Sequence, residues 1–131
     1  MKSLLDTNVI RELARRRPEP RVVRWVSACT HIAVSAITVE EVFFGLALKS
    51  NPRVQDVVER FIDEQCVVHE VTTEIARHAG VLRAQLRLRG TTRTQADMLI
   101  AASAAVHGLA LATRNVRDFA DCGVLVVDPF R

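Results

Sequence analysis

Residues 2–13 read KSLLDTNVIREL. Lys2 to Leu5 is a short apolar strand, and Asp6-Thr7-Asn8 ends it. Val9, Ile10 and Leu13 then share one face of a helix that runs to about Arg16. Arg15-Arg16-Arg17-Pro18 closes that helix, because proline disfavours helical backbone in the residue before it. A strand passing directly into a helix is half of a βαβ unit, and the chain repeats the pattern.

Pro20 to about Ala28 reads as a second helix, with Val22, Val23 and Val26 inward. His31 to Ser35 (HIAVS) is short and β-branched, hence a strand. Thr38 is expected to cap a helix to about Leu48, and Pro52 to start another on the stripe Val54, Val57, Val58, Phe61 and Ile62. Val67 to Val71 reads as a strand. Thr72 or Thr73 caps a long helix with Ile75, Ala76, Ala79, Leu82 and Leu86 inward, ending at Gly90. GTTRT (90–94) is a polar loop. Gln95 to His107 is an alanine-rich helix closed by Gly108. Leu109 to Thr113 is a strand, Arg114 to Gly123 a polar connection with a turn of helix, and Val124 to Val127 the last strand. Short apolar strands alternating with helices predict an α/β fold. The expectation is one domain over residues 1–131, a three-layer α/β/α sandwich on a parallel sheet of about five strands.

The composition agrees. At 131 residues, with 49% apolar and 25% charged side chains, the chain is neither disordered nor a repeat array. The longest uncharged stretch, Met98 to Thr113, is too short to span a bilayer, which takes about 20 apolar residues. MKSLLDTN carries no secretory signal, because Asp6 interrupts its apolar run. Three cysteines, Cys29, Cys66 and Cys122, are odd in number and widely spaced, which predicts reduced thiols in a cytoplasmic protein. The net charge of +3 permits a polyanionic partner without requiring one. Sixteen arginines stand against two lysines. Arginine is the better bidentate phosphate ligand, although a GC-rich genome also favours its codons. With no tyrosine, one tryptophan and five phenylalanines, no base-stacking platform is written here.

The acids are not random against the strand map. Asp6 follows the first strand, Glu40 and Glu41 open the helix after the second, and Asn115 and Asp118 follow the fourth. Open parallel sheets bind ligands beyond the carboxyl ends of their strands. Asp97, in the first turn of the Gln95 helix, joins the same rim if that helix starts there. Taken singly, each has a structural explanation. Thr38 with Glu41, and Thr94 with Asp97, have the spacing of capping boxes, and acids in first turns favour the helix dipole. Taken together they are costly. Two carboxylates about 5 Å apart repel by about 3 kcal/mol at an effective dielectric near 20. Such a cluster needs shifted protonation or a bound cation. Hard oxygen ligands without His or Cys favour Mg²⁺ or Mn²⁺ over Zn²⁺.

On these residues the sequence resembles a known family. LLDTNVI (Leu4 to Ile10), SAITVEEV (Ser35 to Val42), QADMLIAASAAVHG (Gln95 to Gly108) and LATRNVRDF (Leu111 to Phe119) are similar, in order and separation, to the PIN-domain ribonucleases, above all the VapC and FitB toxins of bacterial toxin–antitoxin pairs. The resemblance implies a Mg²⁺- or Mn²⁺-dependent endoribonuclease. The family's acids fall on Asp6, Glu41, Asp97 and, more variably, Asp118, with Asp6, Glu41 and Asp97 on the metal. Glu40 beside Glu41 leaves that ligand open by one residue. Thr7, Asn8, Thr113 and Asn115 match the polar residues around metal and water. The resemblance also implies a homodimer and a cognate antitoxin that plugs the site in a hetero-oligomer, with promoter DNA met only through the antitoxin and no membrane partner.

The periodicity of the Thr38–Leu48 helix is compatible with this. Val39, Val42, Phe43 and Leu46 share the core face, leaving Glu41 free to point toward the rim, near Phe44 and Leu48. Off the core stripe, Phe44 is either a candidate interface residue or an ordinary exposed one. Arg114 and Arg117, then Arg93, are expected to hold the RNA backbone while metal-activated water attacks phosphorus. A haloacid-dehalogenase-type phosphatase would need an acid where Asn8 stands, and a phosphoacceptor domain a lysine at a late strand end, where neither Lys2 nor Lys49 lies. The alternative from another class is a catalytically inactive PIN-like module that only binds RNA or a partner.

Overall fold

The computed structural model describes all residues, Met1 to Arg131. Its strands are β1 (Lys2–Leu5), β2 (His31–Ser35), β3 (Val67–His69), β4 (Ala110–Ala112) and β5 (Val126–Val127). The helices are α1 (Thr7–Leu13), α2 (Pro20–Ser27), α3 (Ala36–Leu48), α4 (Pro52–Gln65), α5 (Thr73–Leu88) and α6 (Gln95–His107). One further turn of 3-10 helix spans Val116–Phe119. All five strands are parallel, in the order β3-β2-β1-β4-β5.

Period-two alternation divides the core into two layers. Leu4, Ala33 and Leu111 point to one face and pack with α5 and α6. Their neighbours Leu5, Val34 and Ala112 point to the other and pack with α1 to α4. The topology explains why the helices divide this way. From β1 to β3 the chain adds strands in one direction, and then β4 returns to the far side of β1. Crossovers between parallel strands are right-handed, so reversing direction puts α5 and α6 on the opposite face. The reversal leaves a crevice between the carboxyl ends of β1 and β4, the switch point where such sheets bind ligands.

Local chemistry sets most boundaries. Pro20 and Pro52 occupy first-turn positions of α2 and α4, where a missing N–H costs nothing. Gly108 ends α6 with φ at 64°, a left-handed conformation that glycine adopts freely. α6 is buried around most of its circumference, with the small residues Ala101, Ala102, Ser103 and Ala104 in succession fully buried. Phe44 and Leu48 are exposed, at 60% and 74%. No helix is long and apolar enough to cross a membrane.

The observed elements are shorter than expected in several places. α1 ends at Leu13 rather than near Arg16, β3 stops at His69 rather than Val71, and β5 starts at Val126 rather than Val124. α3 starts three residues earlier than a Thr38 cap implies. Ser35, the last residue of β2, is the N-cap, and its Oγ accepts from the Ile37 N–H at 3.0 Å. Thr38 lies inside the helix, buried, its hydroxyl unpartnered.

Two measurements probe this core. Leu111 is fully buried on the interior strand β4, so Leu111→Ala is expected to lower the unfolding free energy in urea by about 2–5 kcal/mol. Loss below about 0.5 kcal/mol would contradict the layer assignment. Beside the sheet, His69 stacks on His107, ring centroids 3.6 Å apart and planes 12° apart. Burial first, then the charges of His107 and His31, hold His69 below its ordinary pKa of 6.5. The folded state thus prefers the neutral ring, and this contribution, present above that value, is lost as pH falls. The melting temperature should drop on acidification from about pH 7.5 to about pH 5.5, by less in His69→Gln. An equal drop in both proteins would remove His69 as the cause.

Candidate active site

The site is built around Asp6, which leaves β1 at the switch point. Its backbone N–H donates to Ala112 O at 2.9 Å, extending the β1–β4 pairing by one step. The same residue is the N-cap of α1, its Oδ1 accepting from the Thr7 N–H at 2.8 Å. Its Oδ2 accepts from the Thr113 hydroxyl at 2.8 Å and from Asn8 Nδ2 at 3.1 Å. Asn8 Nδ2 also reaches Thr113 Oγ1 at 3.2 Å, while Asn8 Oδ1 accepts from the Arg114 N–H at 3.0 Å. The Asn115 N–H donates to Thr113 Oγ1 at 3.0 Å. Asp6 is only 6% exposed. Burial raises its pKa most, partly offset by the Thr113 hydroxyl and the Thr7 N–H, and the Glu41 charge raises it further.

Glu41 reaches the same place from α3. Its Oε1 accepts from the Thr7 hydroxyl at 2.7 Å, so Thr7 contacts both acids, Asp6 through its N–H and Glu41 through its hydroxyl. Glu40 is exposed on the solvent side, which resolves the one-residue ambiguity in orientation: Glu41 faces the crevice. Because α3 starts at Ser35, Glu41 lies beyond the first turn, where a dipole or capping role weakens.

Asp97 enters from the start of α6. Thr94 caps that helix as expected, its Oγ1 accepting from the Asp97 N–H at 3.1 Å. The Asp97 carboxyl is pushed up to about 6, by burial first, then by the charge of Asp6, against a lowering by the Thr94 hydroxyl, with Asp118 and Glu41 raising it further. All three other acids thus act on Asp97 through space. Asp118 is exposed on the 3-10 turn. Arg93 anchors that turn, its guanidinium donating to the carbonyls of Arg117 and Ala120. Arg93 therefore has a holding role that its sequence position did not disclose. Arg114 and Arg117 are exposed at the rim. The Arg114 guanidinium lies 3.8 Å over the Phe130 ring, and Arg117 borders a cleft of about 590 Å³ with Asn115, Asp118 and Asp128.

No three carboxylate, imidazole or thiol side chains close on one point as a ready-made ligand set. The acids share a field but keep apart, as uncompensated like charges do. The donors nevertheless fit a hard, strongly hydrated divalent ion. They are carboxylate, hydroxyl and amide oxygens, and an ion such as Mg²⁺ keeps several waters and needs only one or two carboxylates directly. The soft donor within range of Asp97, Cys122, is buried and its thiol pKa is raised, chiefly by that burial. It stays protonated and out of any ligand set.

Arg11 was not apparent from sequence. Its Nη2 donates to the Glu41 carbonyl at 3.4 Å and lies over Gly45, where an added Cβ would approach it to 3.2 Å. The signal was a glycine one turn after Glu41 on the same helix.

Comparison with known proteins follows the same lines. The PIN domain family model matches residues 3–124. The chain is 31% identical to "VapC ribonuclease Y4jK" of Sinorhizobium fredii, over 97% of this chain and 96% of that protein. It is 32% identical to "Toxin FitB" of Neisseria gonorrhoeae, over 97% of each. Among solved structures it is similar to DNA-bound VapBC from Salmonella typhimurium, with a TM-score of 0.86, 32% identity and 98% of each chain covered.

The Thr113 hydroxyl spans both strand ends. Thr113→Val keeps its shape but removes the donor to a buried carboxylate, and should lower the unfolding free energy in metal-free urea titrations by about 1.5–3 kcal/mol. Thr113→Ser should restore most of it. A valine variant as stable as the parent would show that the network holds nothing together.

Proposed function

The chain belongs to the PIN-domain family and is an endoribonuclease toxin neutralised by a cognate antitoxin, and from this premise we propose that it cuts RNA with a Mg²⁺ or Mn²⁺ ion held by Asp6, Glu41 and Asp97. Promoter DNA is met only through the antitoxin. The observation that carries the metal reading is Asp97, pushed up to about 6 by burial and by Asp6, Asp118 and Glu41. A carboxylate so crowded with negative charge favours a cation beside it.

When bound, the ion supplies positive charge against the charge developing on the phosphate, and acidity for an attacking water. The chain supplies position. Thr113 and Asn8 hold Asp6 at the switch point, and Thr7 holds Glu41. Asp118, exposed on its turn, adjusts the field of the cluster. The side-chain amide of Asn115 orients water or phosphate oxygens beside Asp6, while Thr113, its hydroxyl committed to Asp6, Asn8 and the Asn115 N–H, acts by fixing that carboxylate. Arg114 and Arg117 meet the RNA backbone at the rim, where guanidinium groups pair with phosphate oxygens.

Digestion of a defined single-stranded RNA tests this reading. Cleavage should stop in EDTA and return with Mg²⁺ or Mn²⁺. Asp97→Asn should retain its fold and lose at least about 100-fold in rate, the upper end of what removing a group behind a metal ligand costs. Undiminished cutting in EDTA, or by the folded variant, would overturn the metal assignment. RNA binding without any cutting would favour the inactive-module alternative.

A further inference from the structure

A cleft of about 540 Å³ between the end of α1 and the start of α4 is lined by Arg11, Arg15, Arg16, Arg17 and Arg53, with Asn51 at its edge and no carboxylate. The chain contains three ion pairs, and only one involves these residues: Arg15 with the buried Glu12, at 3.2 Å. Four guanidinium groups there carry charge that no acid compensates. Two are held in place by backbone carbonyls. Arg53 Nη2 donates to Ala14 O at 3.0 Å, closing α4 onto α1, and Arg11 Nη2 donates to Glu41 O at 3.4 Å. Arg16 and Arg17 are exposed and make no side-chain hydrogen bond. Their charge is free to meet a ligand.

Arg11 belongs to both places. It lines the basic cleft and touches the backbone of Glu41, one of the crevice acids. A polyanion lying along α1 would therefore be led from the arginines to the carboxylates. We infer that this cleft is a backbone-binding subsite for single-stranded RNA, engaging phosphates at a distance from the scissile bond through Arg11, Arg16, Arg17 and Arg53. The inference rests on the ribonuclease reading and deepens it. It also gives part of the weakly basic net charge a location on the flank of α1, apart from the acids at the switch point. The acids alone would repel RNA, and the flanking arginines offset that repulsion before any phosphate reaches them.

The test is equilibrium binding of a fluorescein-labelled 20-nucleotide single-stranded RNA to the full chain, followed by anisotropy in EDTA over a range of KCl. Neutralising two phosphate contacts should reduce the salt slope by about 1.4, because each contact contributes about 0.7 on single strands. Arg16→Gln/Arg17→Gln should therefore bind roughly 25-fold more weakly at about 0.1 M salt. Arg77→Gln/Arg87→Gln on α5 makes the same charge change outside the cleft and serves as the control. The expected result is a reduced slope in the cleft variant only. Equal slopes in the cleft variant and the parent would overturn the subsite, as would equal reductions in both variants, which would mark bulk charge. Should the cleft variant fail to fold, Arg16→Gln alone carries the same reading with half the slope change. The assay does not depend on cutting. A chain that binds RNA in this way but never cleaves it would contradict the ribonuclease reading alone, and one that cleaves with an unaltered variant slope would contradict the subsite alone.

Discussion

A buried carboxylate at the seam between two parallel strands organises this molecule. Asp6 simultaneously continues the β1–β4 pairing, caps α1, and accepts hydrogen bonds from Thr113 and Asn8. Burying a charge is costly unless it is paired or hydrogen-bonded. The polar network around Asp6 offsets part of that cost, but its pKa remains raised. The same reversal of strand order that opens the crevice moves α5 and α6 to the opposite face, so that α6 can bring Asp97 to the rim. Fold and site therefore share one cause.

Where the sequence signals were local and strong, they were sufficient. The strand HIAVS and the helix Gln95–His107 with its Gly108 stop occur with the expected bounds. The acids at strand ends were legible because a parallel sheet delivers its strand termini to one rim. Thr38 is not the cap because Ser35, directly after Val34, serves as both strand end and cap, and a direct strand-to-helix junction leaves no loop to mark it. β3 and β5 are shorter than the apolar runs that contain them, and each has a single neighbouring strand to pair with. The roles of Arg93 and Arg11 were hidden for another reason. Both depend on carbonyls at least 24 residues away in sequence, and periodicity carries no information about such contacts.

The two electrostatic regions complement each other. Near the switch point the charges of Asp6, Asp118 and Glu41 all bear on Asp97, whose carboxyl is raised by burial first and by these charges after it. On the flank of α1, arginines stand without acids, and Arg11 joins the two regions through Glu41. In the proposed reading, substrate attraction and ion retention fall to separate parts of the surface. A single mixed patch would neutralise itself and do neither. Glu12, on the buried side of α1 and engaged by Arg15 and the Glu19 N–H, pairs with Arg15 alone and leaves the other flanking charges uncancelled.

Calorimetric titration of Mn²⁺ into the purified chain addresses the central claim most directly, because it reports ion uptake without RNA or turnover. The account predicts saturable binding to the parent and at least about tenfold weaker binding to Asp6→Asn, in keeping with the loss that follows even from altering groups behind metal ligands. Absence of saturable heat in the parent, or equal affinity in the two proteins, would contradict the view that these carboxylates are gathered for a cation.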